Sequence, residues 1–259
     1  MFLDHTTLPA PVYAMQPHAS RSDKYAHVPT IQIVDHMQKL GFGVVQAQAA
    51  KTKRPREGAI SKAGYQPHIL RFRSYDAKPV LDGVVFDILL RNAHDGSKAI
   101  DLFGGVFRFV CANGMVSYSQ DCGKVSIGHR GGSLWDRVKD AVSRVQETTT
   151  IAERAITSWS RTILRPDQQL DFAHAALALR YPEENEAPIR ASQLLEARRA
   201  EDQGPDAWSV FNTVQENLTQ GGIVGNAKGK IRTVRKIRGA DSDLALNASL
   251  WQLGEKAFA

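Results

Sequence analysis

The sequence predicts an α+β fold in which an antiparallel β-meander comes first and helices follow. Three observations carry this. From His68 to about His129, apolar and polar residues alternate at the period of a strand, and turn dipeptides separate the runs. From Ser133 the period becomes helical, with Leu134, Val138, Ala141, Val142, Val145, Ala152, Ala155, Ile156, Trp159 and Ile163 on one stripe. After Pro166 the remaining apolar patterns are helical as well.

Taken in chain order, residues 1–29 mix Pro, His, Ser and Ala without a period and read as an extended arm. Thr30 offers an N-cap for a short helix carrying Ile33, Val34 and Met37, and Gly41 stops it. Gly43–Ala49 reads as a strand, and the segment KTKRPREGAISKAGYQ as a loop before the next one. In HILRFR, Leu70 and Phe72 alternate with Ile69, Arg71 and Arg73, so one face presents two arginines. VVFDILLRN, VFRFVCA, MVSYS and KVSIGH continue the meander, with Asp95-Gly96 and Asn113-Gly114 as hairpin turns.

The helical stripe after Ser133 predicts one long helix, softened by the β-branched run Thr148-Thr149-Thr150 and covering one face of the sheet. The opposite face, with Arg71, Arg73 and Arg108, is then left for a ligand. Further helices are expected at Asp167–Arg180, Ala191–Ala200, Asp206–Leu218 (stopped by Gly221-Gly222) and Ser242–Ala257. The expected organisation is an arm over residues 1–29, an α+β core with β-meander and long helix over 30–165, and a helical C-terminal region with a basic loop over 166–259.

Charge is distributed unevenly. The chain of 259 residues carries a net charge of +6. Eight basic residues lie between Lys51 and Lys78 against two acidic ones, and six lie between Asn226 and Ala240 with no acid, so the rest of the chain is net acidic. Concentrated positive charge is the footprint of a phosphate-binding surface. The plainer alternative for a basic run is a solvated face.

Hydrophobic content of 42% is enough for a sizeable core. No apolar run is long enough for a membrane helix, and the N-terminus lacks the pattern of a signal peptide, so no membrane association is expected. The two cysteines, Cys111 and Cys122, do not make a disulfide scaffold, which points to a reducing cytoplasm.

Catalytic chemistry finds little support. Asp87, His94 and Asp101 are the best candidates for a metal-dependent nuclease, but Asp95-Gly96 next to His94 is explained by a hairpin turn. The histidines lack zinc-ligand spacing, and GGIVGNAKGK lacks the order of a phosphate-binding loop. No catalytic residue, metal or cofactor is expected, and the chain is read as a non-enzyme. A binding module needs only cations, backbone donors and stacking surfaces. Tyr65, Phe72 and Tyr75 interleave with Arg71, Arg73 and Lys78, although Phe72 is better placed for the core. No helix-turn-helix or zinc-finger signature supports sequence-specific duplex reading.

The runs LLRNAHDGSKAIDLFGGVFRFVCANGMV, IGHRGG, FNTVQENLTQGG and SLWQLGEKA resemble the phage/plasmid-like protein family of unknown function. The resemblance extends from TIQIVDHMQKLGF to the end of the chain. It implies an intracellular protein of a phage, plasmid or integrated element, acting in DNA metabolism or in conflict with the host, and it supplies no catalytic residue. By architecture alone, a β-meander crossed by a long helix is similar to single-strand annealing recombinases, whose rings or filaments hold single-stranded DNA in a basic groove without metal or nucleotide.

The expected function is therefore single-stranded DNA binding, with strand annealing, by a homo-oligomer. The expected nucleic-acid contacts are Lys51, Lys53, Arg54, Arg56, Arg71 and Arg73, with Lys228, Lys230, Arg232, Arg235, Lys236 and Arg238 as a second patch. The alternative is an anti-defence or regulatory factor of a mobile element that binds a host protein.

Overall fold

The structure is a computed structural model, and it describes the whole chain except residues 53, 56, 59, 80, 82, 109–123, 148, 184–186 and 228. The fold is α+β, with a five-stranded antiparallel sheet and a C-terminal helical region. The chain divides into two compact units, one formed essentially by residues 1–149 and the other by residues 150–259 with short pieces from around 80–84 and 106–120.

The first unit holds helix α1 (Thr30–Lys39) and strands β1 (Phe42–Ala49), β2 (His68–Ser74), β3 (Val84–Asn92), β4 (Ile100–Arg108) and β5 (Lys124–Ile127), followed by α2 (Leu134–Glu147). Strand order equals sequence order, β1-β2-β3-β4-β5, as a meander requires. Leu70 pairs with Leu90 and Phe72 with Ile88, so the apolar positions of neighbouring strands stack on one face. With Val44, Ile100, Leu102 and Ile127 they form a core closed by Ile33, Val34 and Met37 of α1 and by Leu134, Val138, Ala141, Val142 and Val145 of α2.

Residues 1–29 are not a free arm. Two short 3-10 turns, His5–Thr7 and Ala10–Tyr13, fold back, and Leu8, Val12 and Val28 join the same core. Their apolar side chains gain more from burial than an extended arm would gain in freedom.

The stretch expected as one long helix is helical on both sides of Thr148. α2 ends at Glu147 and α3 runs Thr149–Trp159, with Thr148 outside the described residues. α2 contributes Leu134, Val138, Ala141, Val142 and Val145 to the core of the sheet. The Asn113-Gly114 turn, Cys111, Cys122 and the strand expected at MVSYS lie outside the described residues.

The second unit contains α4 (Pro166–Arg180), α5 (Ala207–Gln220), a ribbon of β6 (Val224–Ala227) and β7 (Lys230–Thr233), and α6 (Ala240–Ala257). Its core is aromatic: Trp159 lies 4.8 Å from Trp251, 5.3 Å from Phe211 and 5.3 Å from Phe258 between ring centres. The helix expected over Ala191–Ala200 is instead two 3-10 turns, Ala191–Leu195 and Ala200–Asp202.

α5, which carries FNTVQENLTQGG, is buried from Ala207 to Thr219, polar residues included. Such a helix is stable only if its polar side chains find partners. Here Gln215 donates to Asn247 at 2.7 Å, Asn217 donates to the Leu194 and Glu196 carbonyls at 2.9 and 3.0 Å, and Glu216 pairs with Arg199 at 2.7 Å. Asp206 caps the helix by accepting from the Ser209 amide at 3.0 Å. The motif that dominates this stretch of sequence is thus explained by packing.

Candidate nucleic-acid interface

The two basic segments have different fates. In the first, Arg71 and Arg73 do not present an open face. Arg73 Nε and Nη2 donate to the two oxygens of Asp87 at 2.7 Å each, and Arg71 Nε lies 3.3 Å from the same carboxylate. Cross-strand register places this acid opposite Arg73. Burial raises the Asp87 carboxyl, and both guanidiniums oppose that shift by favouring its charged form. The side chains of Arg71 and Arg73 are only 19% and 14% exposed.

Further along the same face, Asp101 pairs with Arg91 and with Lys124 at 3.4 Å, and Val85, Asp87, Leu89, Asp101 and Phe103 are all buried. The expectation of an open, ligand-ready sheet face is therefore corrected: the arginines neutralise buried carboxylates. The Arg108 side chain is outside the described residues.

In the loop before β2, Lys51 and Arg54 are exposed, whereas Lys53 and Arg56 lie outside the described residues. Lys62 pairs with Asp95 at 3.2 Å. Tyr75 is exposed and meets Phe2 edge-on at 4.9 Å, which occupies one of the proposed stacking rings.

The nuclease candidates do not converge. Asp87 and Asp101 hold their arginines, and His94 is buried in a polar cluster with Thr30, His68 and Asn92. Thr30 begins α1 but caps nothing; its hydroxyl is the hub of that cluster. His68 Nδ1 faces the Gln66 carbonyl at 3.0 Å, so it carries the proton, and Nε2 accepts from Thr30 at 2.8 Å. Thr30 has a single proton, so His94 Nε2 and Asn92 Nδ2, each 3.0 Å away, donate to its oxygen.

Burial holds the His68 imidazole down at about 4 and, with His68 nearby, the His94 imidazole at about 3. His129 extends the network, lying 3.0 Å from Asn92 Oδ1 and 3.1 Å from the Ala26 carbonyl, and its ring stacks on Tyr25. Among the described residues no group of three or more His, Cys, Asp or Glu is arranged to hold a metal ion, and no helix is long and apolar enough to cross a membrane.

The second basic segment is open. Lys230, Arg232, Arg235, Lys236 and Arg238 are all exposed, while Lys228 lies outside the described residues. The ribbon of β6 and β7 supports the first two, and its turn contains Gly229 at φ +78°, a left-handed conformation that glycine adopts without strain.

Its base is pinned from several sides. The Gly222 amide donates to the Val234 carbonyl and the Val234 amide to the Ile223 carbonyl, both at 2.8 Å. Val234 is buried, and Arg180 donates to the carbonyls of Leu218 and, at 2.6 Å, Arg235. A Cβ at Gly221 would lie 2.5 Å from the Val234 carbonyl oxygen, so Gly221 permits this close approach. The glycine pair that ends α5 is what seats the basic segment.

A family model described as a domain of unknown function (DUF932) matches residues 17–251. The chain belongs to the DUF932 family. This DUF932 protein is 34% identical over 248 residues to the UPF0380 protein YfjQ of Escherichia coli (strain K12), covering 94% of this chain and 86% of that one. It is 33% identical to the UPF0380 protein YafZ of the same strain with the same coverage. No solved structure matches the chain. The DUF932 match includes both the polar cluster around Thr30 and the basic ribbon.

Sequence reasoning anticipated the second patch but not the ribbon's composition on its other face. Val224 and Ile231 are 57% and 80% exposed there. The signal was present in the alternation of KIRT and VGNA, which is too short to distinguish from a glycine-rich loop.

Proposed function

We propose that this protein binds single-stranded DNA and that the β6–β7 ribbon, with the segment to Arg238, is its phosphate-binding element. The observation that carries the reading is the exposed set Lys230, Arg232, Arg235, Lys236 and Arg238 in a stretch with no acidic residue, held at its base by Gly221, Gly222 and Arg180. Exposed cations are what a nucleic-acid backbone needs, because each phosphate neutralised releases bound counterions. Lys51 and Arg54 on the first unit add exposed positive charge.

A single strand is favoured over duplex because the ribbon that carries the cations also exposes the apolar side chains Val224 and Ile231, and unstacked bases offer apolar surface for them to cover. Strand annealing follows if several copies line one strand, since two coated strands then meet with their backbone charge screened. The resemblance of the sequence blocks to phage and plasmid proteins supports reading such an activity as part of the DNA metabolism of a mobile element, inside a bacterial cell.

Fluorescence anisotropy with a labelled single strand and a matched duplex, at low and at physiological salt, tests the reading. Binding that prefers the single strand and weakens about 300-fold or more between 50 and 200 mM salt is the expected result for six or more phosphate contacts on a single strand. Absence of binding at low salt overturns it and turns the ribbon toward an acidic protein surface.

A further inference from the structure

The two faces of the ribbon are chemically different. Gly225 pairs with Arg232 and Ala227 with Lys230, while Val224 pairs with Thr233 and Asn226 with Ile231. Opposed residues of an antiparallel pair share a face, and the faces alternate along each strand. One face therefore carries Gly225, Lys230 and Arg232, and the other carries Val224, Asn226, Ile231 and Thr233.

The first face is turned toward the protein at its base, because a Cβ at Gly225 would lie 1.8 Å from the Pro188 carbonyl oxygen. The strand is further fixed by Gln193, whose Nε2 donates to the Val224 carbonyl at 3.0 Å. The second face thus points away from Pro188, and all four of its side chains are exposed. Two branched apolar groups, one amide and one hydroxyl make an unusual outer surface in a segment otherwise dominated by cations.

Resting on the single-strand reading, we infer that this outer face receives the bases of the bound strand while Lys230 and Arg232 take its phosphates. Ile231 and Val224 cover the faces of unstacked bases, as apolar side chains do when they enter a base stack. Asn226 and Thr233 offer a donor and acceptors to base edges. Charge complementarity selects this occupant over an apolar protein surface: residues 226 to 240, Ile231 among them, hold six cations and no acidic residue to offset them. The ribbon accordingly divides the work by face, with charge on one side and base contact on the other.

The test uses the full chain and a single strand with 2-aminopurine at internal positions, whose fluorescence rises when a base leaves its stack. Wild type is expected to bind with a rise in fluorescence. Ile231→Ser should lower affinity about 5- to 20-fold by the same factor at every salt concentration and remove most of the fluorescence change. Ile231→Phe should restore both. Lys230→Ala with Arg232→Ala should do the reverse, flattening the salt dependence while the bound complex keeps its fluorescence change.

Ile231 is 80% exposed, so these variants leave the fold intact. Wild-type binding with an unaltered Ile231→Ser variant overturns the base-contact assignment alone. Absence of wild-type binding at low salt overturns the single-strand reading on which it rests, and the assignment with it.

Discussion

Arg73 holds Asp87 through two parallel hydrogen bonds of 2.7 Å across neighbouring strands, and Arg71 reaches the same carboxylate. Asp87 is fully buried. Breaking a buried pair from one side costs more than the pair contributes, because a charge stays behind in a poor solvent. Asp87→Ala should therefore destabilise the first unit by about 3–5 kcal/mol in chemical unfolding. Arg73→Ala should behave similarly and leave the salt dependence of DNA binding unchanged. A stable Arg73→Ala protein with reduced salt dependence would return this arginine to the interface.

Thr30 serves three partners with one hydroxyl: it donates to His68 and accepts from His94 and Asn92. Thr30→Val keeps the shape but removes every one of these bonds, and should cost about 2–4 kcal/mol in the same measurement. A change below about 1 kcal/mol would mean that the cluster does not depend on this hub.

The same histidines set a pH dependence. Unfolded, they take up protons near 6.5, whereas in the folded protein His68 does so at about 4 and His94 at about 3. The folded state therefore binds fewer protons than the unfolded chain below about 6.5. Their contribution is full above that pH and is lost as the pH falls toward 4 and 3. Stability should drop by up to about 1.4 kcal/mol per pH unit for each histidine in that window. Urea unfolding at a series of pH values reads this slope, and His68→Gln should reduce it. A flat profile between pH 6.5 and 4 would contradict the neutral assignment.

Gly221 adopts φ +63° and ψ −141°, a region that side chains avoid, and a Cβ there would strike the Val234 carbonyl. Gly221→Ala should destabilise the second unit by about 2 kcal/mol or more and loosen the basic segment it seats. Gly229, also left-handed at φ +78°, has nothing within 4 Å of its Cβ position. Gly229→Asn should be nearly neutral in a thermal melt, since asparagine tolerates this conformation. Equal effects at the two sites would refute the packing account of Gly221.

Much of the fold was legible because its elements are local. The alternation in HILRFR and VVFDILLRN, the Asp95-Gly96 turn and the start of α5 near Asp206 each depend on neighbouring residues. The candidate site was less legible because it depends on register. Nothing local marks Asp87 as the partner of Arg71 and Arg73; only strand pairing brings the acid opposite them. Thr30 looked like a cap for the same reason, since His68 and His94 are distant in sequence. The ribbon was readable as charge but not as two faces, because four-residue strands give too few alternations to fix a period.

The most direct test of the central claim is the salt dependence of single-strand binding for wild type and for the variant carrying Lys230→Ala and Arg232→Ala. If the ribbon contacts phosphates, the variant should bind more weakly and the slope of log affinity against log salt should fall by roughly 1.4, about 0.7 for each cation removed from a single-strand contact. A variant with the affinity and slope of wild type would contradict the assignment of this ribbon as the phosphate-binding element.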